Sequence, residues 1–395
     1  MSPTEAPTAS VAPPAVVQLV ARGLLDAYGS GTWKDLVGRG IAAAAAGVEL
    51  RVEEFDPNDL PAAVAATPAN CPAAVIEYSV HPGLVEALRR ERPGTRVLVR
   101  AINAEGLQHW HRRAPGLRPT YDNACDWYGV TRLSWRDRRS ARAAHATLGI
   151  SEWDERHYWR RIAPRATFVP LPYFCPWPDL RPEVRPRPWR ERDDLIVCMP
   201  GGGDRLSTQQ QDNLGRLAAA LAAVGDREVP RCGLTGGSRV WASTAPPTGD
   251  ELSGAERLGR VDEPWDLLCG VKAVAVLTDL GFGMKTTVVD GLAAGCHVLI
   301  HAGLAPRLPA AVRERCLTID PRAVDTAAIL RTLAGPPDRH AEVHSALRRD
   351  AAQTFHAAVR GRYCRRPDGG TAEGGPSSNL TNPNDSVATG DETEG

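Results

Sequence analysis

On either side of one proline-dense segment the chain repeats the same alternation of short, β-branched apolar runs with helical patterns, and this most constrains its fold. Strands are predicted at residues 16–20, 48–55, 74–78, 96–102, 146–150 and 166–170, with helices near 33–46, 82–91 and 152–162. Ser151 supplies an N-cap for the last helix. Residues 173–190 then carry Pro176, Pro178, Pro182, Pro186 and Pro188, which excludes continuous regular structure. Beyond them strands are predicted at 194–199, 231–234, 273–278, 297–301 and 316–319. Helices are predicted at 212–224, 262–269 and 287–294. Such alternation is the signature of an α/β class with two doubly wound, Rossmann-like parallel sheets facing across a cleft. The expected organisation is a disordered tail over 1–14, an acceptor-side domain over 15–178 and a linker over 179–193. A second domain follows over 194–365, then a disordered tail over 366–395.

Composition removes several function classes. A chain of 395 residues is too long for one ordinary core, and 43% hydrophobic with 24% charged residues is globular. Forty-seven basic residues balance forty-seven acidic ones, so no long-range field favours nucleic acid, and any anion site must be a local pocket. The nine cysteines are never closer than twenty positions and form no CxxC pair, which argues against a zinc knuckle or a redox motif. No apolar run approaches a membrane span. Without a secretory leader the expected location is the cytoplasm, with peripheral membrane contact left open. Asn379-Leu380-Thr381 matches a glycosylation sequon that this context makes unlikely to be used.

The loops that follow strands carry the chemistry, because ligands of doubly wound sheets sit beyond the carboxyl ends of the strands. After the predicted strand 273–278 the chain reads Asp279-Leu-Gly-Phe-Gly-Met-Lys-Thr-Thr-Val-Val-Asp290. Gly281 and Gly283 permit a tight turn with close backbone approach. Lys285 adds charge, and it is one of only three lysines, with Lys34 and Lys272. Thr286 and Thr287 open a helix whose N-terminus favours anions, so the segment suits a phosphate, with Asp290 placed to accept from a ribose diol. A solvated glycine turn whose aspartate complements the helix dipole is the competing reading.

The run GFGMKTTVVDGLAAGCHVL resembles the G-x-G-x-K-x-K-x-x-E-A-L-A-x-G-x-P-V-V signature of the large retaining, family 4-like bacterial group of GT-B glycosyltransferases. Val99-Arg-Ala-Ile-Asn-Ala-Glu105 is similar to that family's V-R-x-H-N-x-E segment, and Gly149-Ile-Ser-Glu-Trp-Asp154 to its I-S-E-x-D junction. Val197 to Arg205 and Gly259-Arg-Val-Asp262 occupy the places of its diphosphate clamp and base-facing segment. Asp290 replaces the usual Glu, and Thr287 and Gln210 stand where lysines are common. The resemblance implies a transferase moving a sugar from a UDP- or GDP-sugar to a small-molecule, lipid-linked or glycan acceptor. It also implies retention and no metal; the nucleotide-sugar is a co-substrate, and no other cofactor is implied. Donor binding falls on Gly203, Arg205, Val261, Gly281, Gly283, Lys285, Thr286, Thr287 and Asp290. Arg205 and Lys285 would stabilise the leaving phosphate. No D-x-D occurs to anchor a bridging metal.

On the acceptor side, Gly29 and Gly31 lie in a loop after the first strand that reads either as a cleft closure or as a simple turn. Asn103 and Glu105 follow another strand end, with Glu105 read as catalytic or as an ordinary helix N-terminal charge. His109 and His111 in LQHWHRR read as a surface amphipathic turn, with a general base as the alternative. His297 and His301 read as packing or capping residues, and Glu77 as a cleft residue or a salt bridge. Two other functions compete: a nucleotide-sugar epimerase or hydrolase on the same scaffold, and a catalytically degenerate glycan- or partner-binding protein.

Overall fold

The computed structural model describes residues 15–26, 28–113, 119–200, 205–225, 229–236 and 254–362. Both expected tails and Gly203 lie outside them. The first lobe's strands are β1 Val16–Ala21, β2 Leu50–Phe55, β3 Ala73–Glu77, β4 Arg96–Ala101, β5 Ala146–Gly149 and β6 Phe168–Pro170. The second lobe's are β7 Asp193–Cys198, β8 Arg231–Gly236, β9 Ala255–Arg260, β10 Val271–Val276, β11 His297–His301 and β12 Cys316–Ile319. The helices of the first lobe are α1 Gly31–Ala45, α2 Leu60–Ala65, α3 Pro82–Glu91, α4 Glu105–Arg113, α5 Ala124–Ala143, α6 Glu152–Asp154 and α7 Arg160–Ile162. The chain continues with α8 Trp177–Leu180 and then, after β7, with α9 Arg205–Ala222, α10 Pro264–Gly270, α11 Thr286–Ala293, α12 Ala310–Arg313, α13 Thr326–Leu333 and α14 His340–Val359.

Both sheets have six strands, in the orders β2-β1-β3-β4-β5-β6 and β12-β11-β10-β7-β8-β9. Every described pairing is parallel. Strands covered on both faces need apolar side chains throughout, which explains the continuous runs in β3 and β10. The chain reverses its direction of travel between β1 and β3 and again between β7 and β10, so each sheet opens a crevice at that switch point.

Buried charge fixes α1 on the first sheet. Arg100 donates to both Asp35 oxygens at 2.6 and 2.9 Å and to the Leu171 carbonyl at 2.9 Å, while Arg39 bonds Asp35 and Glu77. Glu77 is therefore a salt-bridge residue, not a cleft residue, as one of its two readings held. One apolar cluster crosses between the lobes, from Ala42 and Phe174 through Trp177 to Val288 and Phe355. Helix α14 lies against both α1 and α11. The proline-dense segment forms only the single turns Trp177–Leu180 and Trp189–Glu191. It is tied to the second lobe where Arg181 pairs with Glu263 and Asp266 and Arg192 donates to the Gly295 carbonyl at 2.6 Å.

Candidate functional site

The switch-point loops of the two sheets meet. The loop after β1 enters α1 through Ser30, whose hydroxyl accepts from the Trp33 N–H at 3.1 Å, a satisfied N-cap. A Cβ on Gly31 would stand 3.4 Å from Thr286 Oγ1 at the start of α11, so the loop after β1 abuts the loop after β10. Gly29 has φ +73° with open space around it.

The glycine-rich loop is seated on the first lobe instead of facing open solvent. Gly281 and Gly283 have φ +87° and +75°, the left-handed region where a side chain is strained. A Cβ on Gly283 would lie 2.6 Å from the Ile102 carbonyl oxygen. The N–H groups of Gly281, Phe282 and Gly283 donate to His111 Nδ1 (2.8 Å), Gln108 Oε1 (2.9 Å) and Asp154 Oδ1 (3.1 Å). Arg307 donates to the carbonyls of Gly281 and Asp279. The Phe282 ring packs against His111 and Trp153 at centroid distances of 5.0 and 5.3 Å. The backbone donors expected for phosphate are thus already satisfied across the lobe boundary, and His111 belongs to this contact instead of to a surface turn.

Positive charge gathers around that loop. Lys285 Nζ lies 2.5 Å from where a Gly281 Cβ would be. His111 is held down at about 4, first by burial and then by Arg307, Lys285 and Arg205, with Asp279 opposing. Its imidazole is neutral near pH 7, as a proton-accepting Nδ1 requires. Arg205 is exposed at the first position of α9, and Lys285, Thr286 and Thr287 are half-buried at the entrance of α11. Val261 is half-buried between β9 and α10.

Asp290 is not an open carboxylate. It is 2% exposed; one oxygen pairs with Lys34 of α1 and the other accepts from the Tyr173 hydroxyl at 2.6 Å. No local signal links these residues, because Lys34 stands 256 positions away. At 2% exposure Asp290 meets a ribose diol only if the side chains that cover it move aside.

Of the residues expected on the acceptor side, Gly29 and Gly31 follow β1, while Asn103 and Glu105 lie just past the carboxyl end of β4. Burial, then the nearby Asp137, raises Glu105 to about 7 against a hydrogen bond from Asn103, and Glu105 Oε1 is buried without a partner. Asp137, at about 6 through burial, accepts from Ser79 Oγ at 2.6 Å and from the Gly106 N–H at 3.3 Å. Tyr78, absent from the sequence reading, has φ +65° and shares a hydrogen bond with Thr32. A left-handed φ at a tyrosine costs about 1–3 kcal/mol and persists only where the surrounding structure enforces it. Gln108, His111, Asp154 and Arg307 were also invisible as a group. His111 was singled out as a surface turn or general base and Asp154 within the I-S-E-x-D resemblance, but their meeting with Gln108 and Arg307 on one loop had only the three-residue spacing of Gln108 and His111 as a signal.

A cavity of about 420 Å³ that shares Asp279 with the glycine-rich loop lies at the carboxyl ends of β10, β11 and β12, lined also by Asp212, Asn213, Arg216, His301 and Asp320 among others. His301 caps its own turn, accepting from the Gly303 N–H at 2.9 Å, and His297 bonds the Gly335 carbonyl at 2.8 Å.

No family model and no curated protein sequence matches the chain. Solved structures do. Sucrose-phosphate synthase from Thermosynechococcus elongatus superposes with a TM-score of 0.54 at 17% identity, covering 88% of this chain and 94% of that one. An α-glucosyltransferase bound to UDP and a 13-mer DNA gives 0.51 at 11% identity, covering 87% and 95%. Anabaena HepE with UDP and glucose gives 0.52 at 11% identity, covering 88% and 98%. At such identities the likeness shows the fold, the two-domain GT-B arrangement of facing parallel sheets.

Proposed function

We propose that the protein is a nucleotide-sugar-dependent glycosyltransferase acting in the cytoplasm, its donor held by the second lobe and its acceptor by the first. The observation that carries this reading is the gathering of Arg205, Lys285 and Arg307 around His111 and the glycine-rich loop that leads into α11, after the strand at which the second sheet reverses direction. The overlap with glycosyltransferase structures that hold UDP supports the same donor class. Cleaving a sugar–diphosphate bond leaves negative charge on the departing phosphate. Fixed cations and the first N–H groups of a helix stabilise that charge more than the ground state, without a metal. In this proposal Lys285 and Arg205 take the diphosphate, with Gly203, Gly281, Gly283, Thr286 and Thr287 around it and Val261 toward the base. Transfer with retention is carried by the resemblance to the family 4-like group.

Glu105 and Asn103 flank the proposed acceptor, with Gly29 and Gly31 closing over it. Glu105, half-protonated near neutrality with one unpartnered oxygen, suits the exchange of a hydroxyl proton with the acceptor. Ribose binding at Asp290 requires the side chains that cover this carboxylate to move aside, so donor entry is coupled to loosening of the lobe boundary.

Isothermal titration calorimetry with UDP- and GDP-sugars tests the reading. The wild type is expected to bind one of them, with at least about tenfold loss in Lys285→Ala and Arg205→Ala. Absence of binding to every nucleotide sugar contradicts it. One observation favours a second reading: the N–H groups of the glycine loop and the Asp290 oxygens are already satisfied by the first lobe. That is the geometry of a degenerate, non-catalytic binding protein. Nucleotide affinity without transfer or hydrolysis across a broad acceptor panel selects it.

A further inference from the structure

Helix α5 turns an aromatic and basic face outward, and Glu86 of α3, which pairs with Arg139, is the one ion-pair partner that this face has among the described residues. Tyr128, Trp135 and Arg142 stand at positions i, i+7 and i+14, a single ridge along the helix. Arg132 and Arg139 flank it on one side, Thr131 and Arg138 on the other, and all are exposed. Tyr128 is 65% and Trp135 54% exposed, and Tyr121, just before the helix, is 97% exposed. The opposite face buries Val130, Asp137, Ser140 and Ala141, so rotation cannot hide the aromatics.

Acidic neighbours do not neutralise the ridge. Glu86 of α3 pairs with Arg139, Asp126 is half-buried beside Arg113, and Asp137 points inward. Asp122 is exposed next to Tyr121. Arg132, Arg138 and Arg142 remain as uncompensated charge around rings that water solvates poorly. The Arg139 guanidinium stacks 5.0 Å from the Trp135 ring, which holds that ring outward.

We propose that this face of α5 docks the protein on an anionic phospholipid bilayer. Tyrosine and tryptophan rings favour the headgroup region, where one end is apolar and the other wet, while flanking arginines reach the lipid phosphates. A single helix face with four exposed arginines presents a flat cationic surface, which fits the plane of an anionic bilayer better than the groove that tracks a nucleic-acid backbone. No helix among the described residues is long and apolar enough to cross a membrane, so the contact is interfacial. The docked face lies behind Asp137, whose carboxylate sits near Glu105 at the first lobe's strand ends. This inference stands independently of the sugar-transfer reading.

The test is co-sedimentation of the full chain with vesicles of phosphatidylcholine alone and of phosphatidylcholine with phosphatidylglycerol. Expected is a partition at least about tenfold stronger onto the anionic vesicles, weakened by salt. Arg132→Glu/Arg138→Glu/Arg142→Glu is expected to abolish it, and Tyr128→Ala/Trp135→Ala to weaken it several-fold, both variants keeping the wild-type circular dichroism and melting temperature. Equal partition on both vesicle types, no partition, or indifference to both variants overturns the proposal. So does displacement from anionic vesicles by a short RNA or DNA that binds the same face more tightly.

Discussion

Asp290 shows how far a residue's role depends on what the fold brings beside it. Its place one turn into α11 was legible from the glycine-rich motif, but Lys34 and Tyr173 reach it from distant parts of the chain. Removing one member of a buried ion pair leaves the other charge uncompensated, at a cost of about 3–5 kcal/mol. Lys34→Met is therefore expected to lower stability by that amount in urea unfolding. Lys34→Met/Asp290→Asn is expected to recover more than half of it; additive losses would show that the two do not act as a pair. His111 makes a pH-dependent prediction. Its folded value lies near 4, below the unfolded 6.5, so between those values the unfolded chain binds the extra proton. The contribution of His111 is then fully present above about pH 6.5 and falls as pH drops toward 4. The stability difference between wild type and His111→Ala is expected to shrink across that window, and a constant difference would contradict the neutral, accepting Nδ1. The contact made by Gln108, His111 and Asp154 was not readable from the sequence, because these residues acquire their meaning only from the backbone N–H groups they accept from.

At the level of elements, what could be read followed the pattern of apolar residues. The eleven predicted strands all form; interior ones such as β3 and β10 are covered on both faces and written as apolar runs, while edge strand β2 was legible from Leu50, Val52 and Phe55 alternating with charges. Strand β9, AERLGR, escaped because it is an edge strand in which Leu258 is the one large apolar residue among charges and a glycine. Helix α5 escaped because its inner face is short and includes Asp137 and Ser140, which hydrogen-bond instead of packing, so no apolar stripe marks it. Helix α9 starts at Arg205, seven positions before the predicted 212, since its polar first turns resemble a loop. The glycine loop gives the element-scale prediction. Gly283→Ala adds a Cβ 2.6 Å from the Ile102 carbonyl at a left-handed φ, and is expected to cost at least about 2 kcal/mol. Chemical denaturation measures it; a neutral effect would mean that the loop is not pressed against the first lobe.

The whole molecule is two parallel sheets whose switch points face each other, joined by a shared apolar cluster and by the seated glycine loop. The sequence displayed the sheets and the cation-bearing loops, but the closed lobe boundary arises from contacts across more than a hundred residues and has no local signature. The central claim is that the mouth of this boundary, at Lys285, Arg205 and the start of α11, takes the diphosphate of a nucleotide sugar. Co-crystallisation with UDP and with GDP tests it most directly. The account predicts the terminal phosphate within hydrogen-bonding distance of Lys285 Nζ and the first backbone N–H groups of α11, with Arg205 turned toward it. A nucleotide seated instead in the cavity lined by Asp212, Asp279 and Asp320, or bound at neither place, would contradict it.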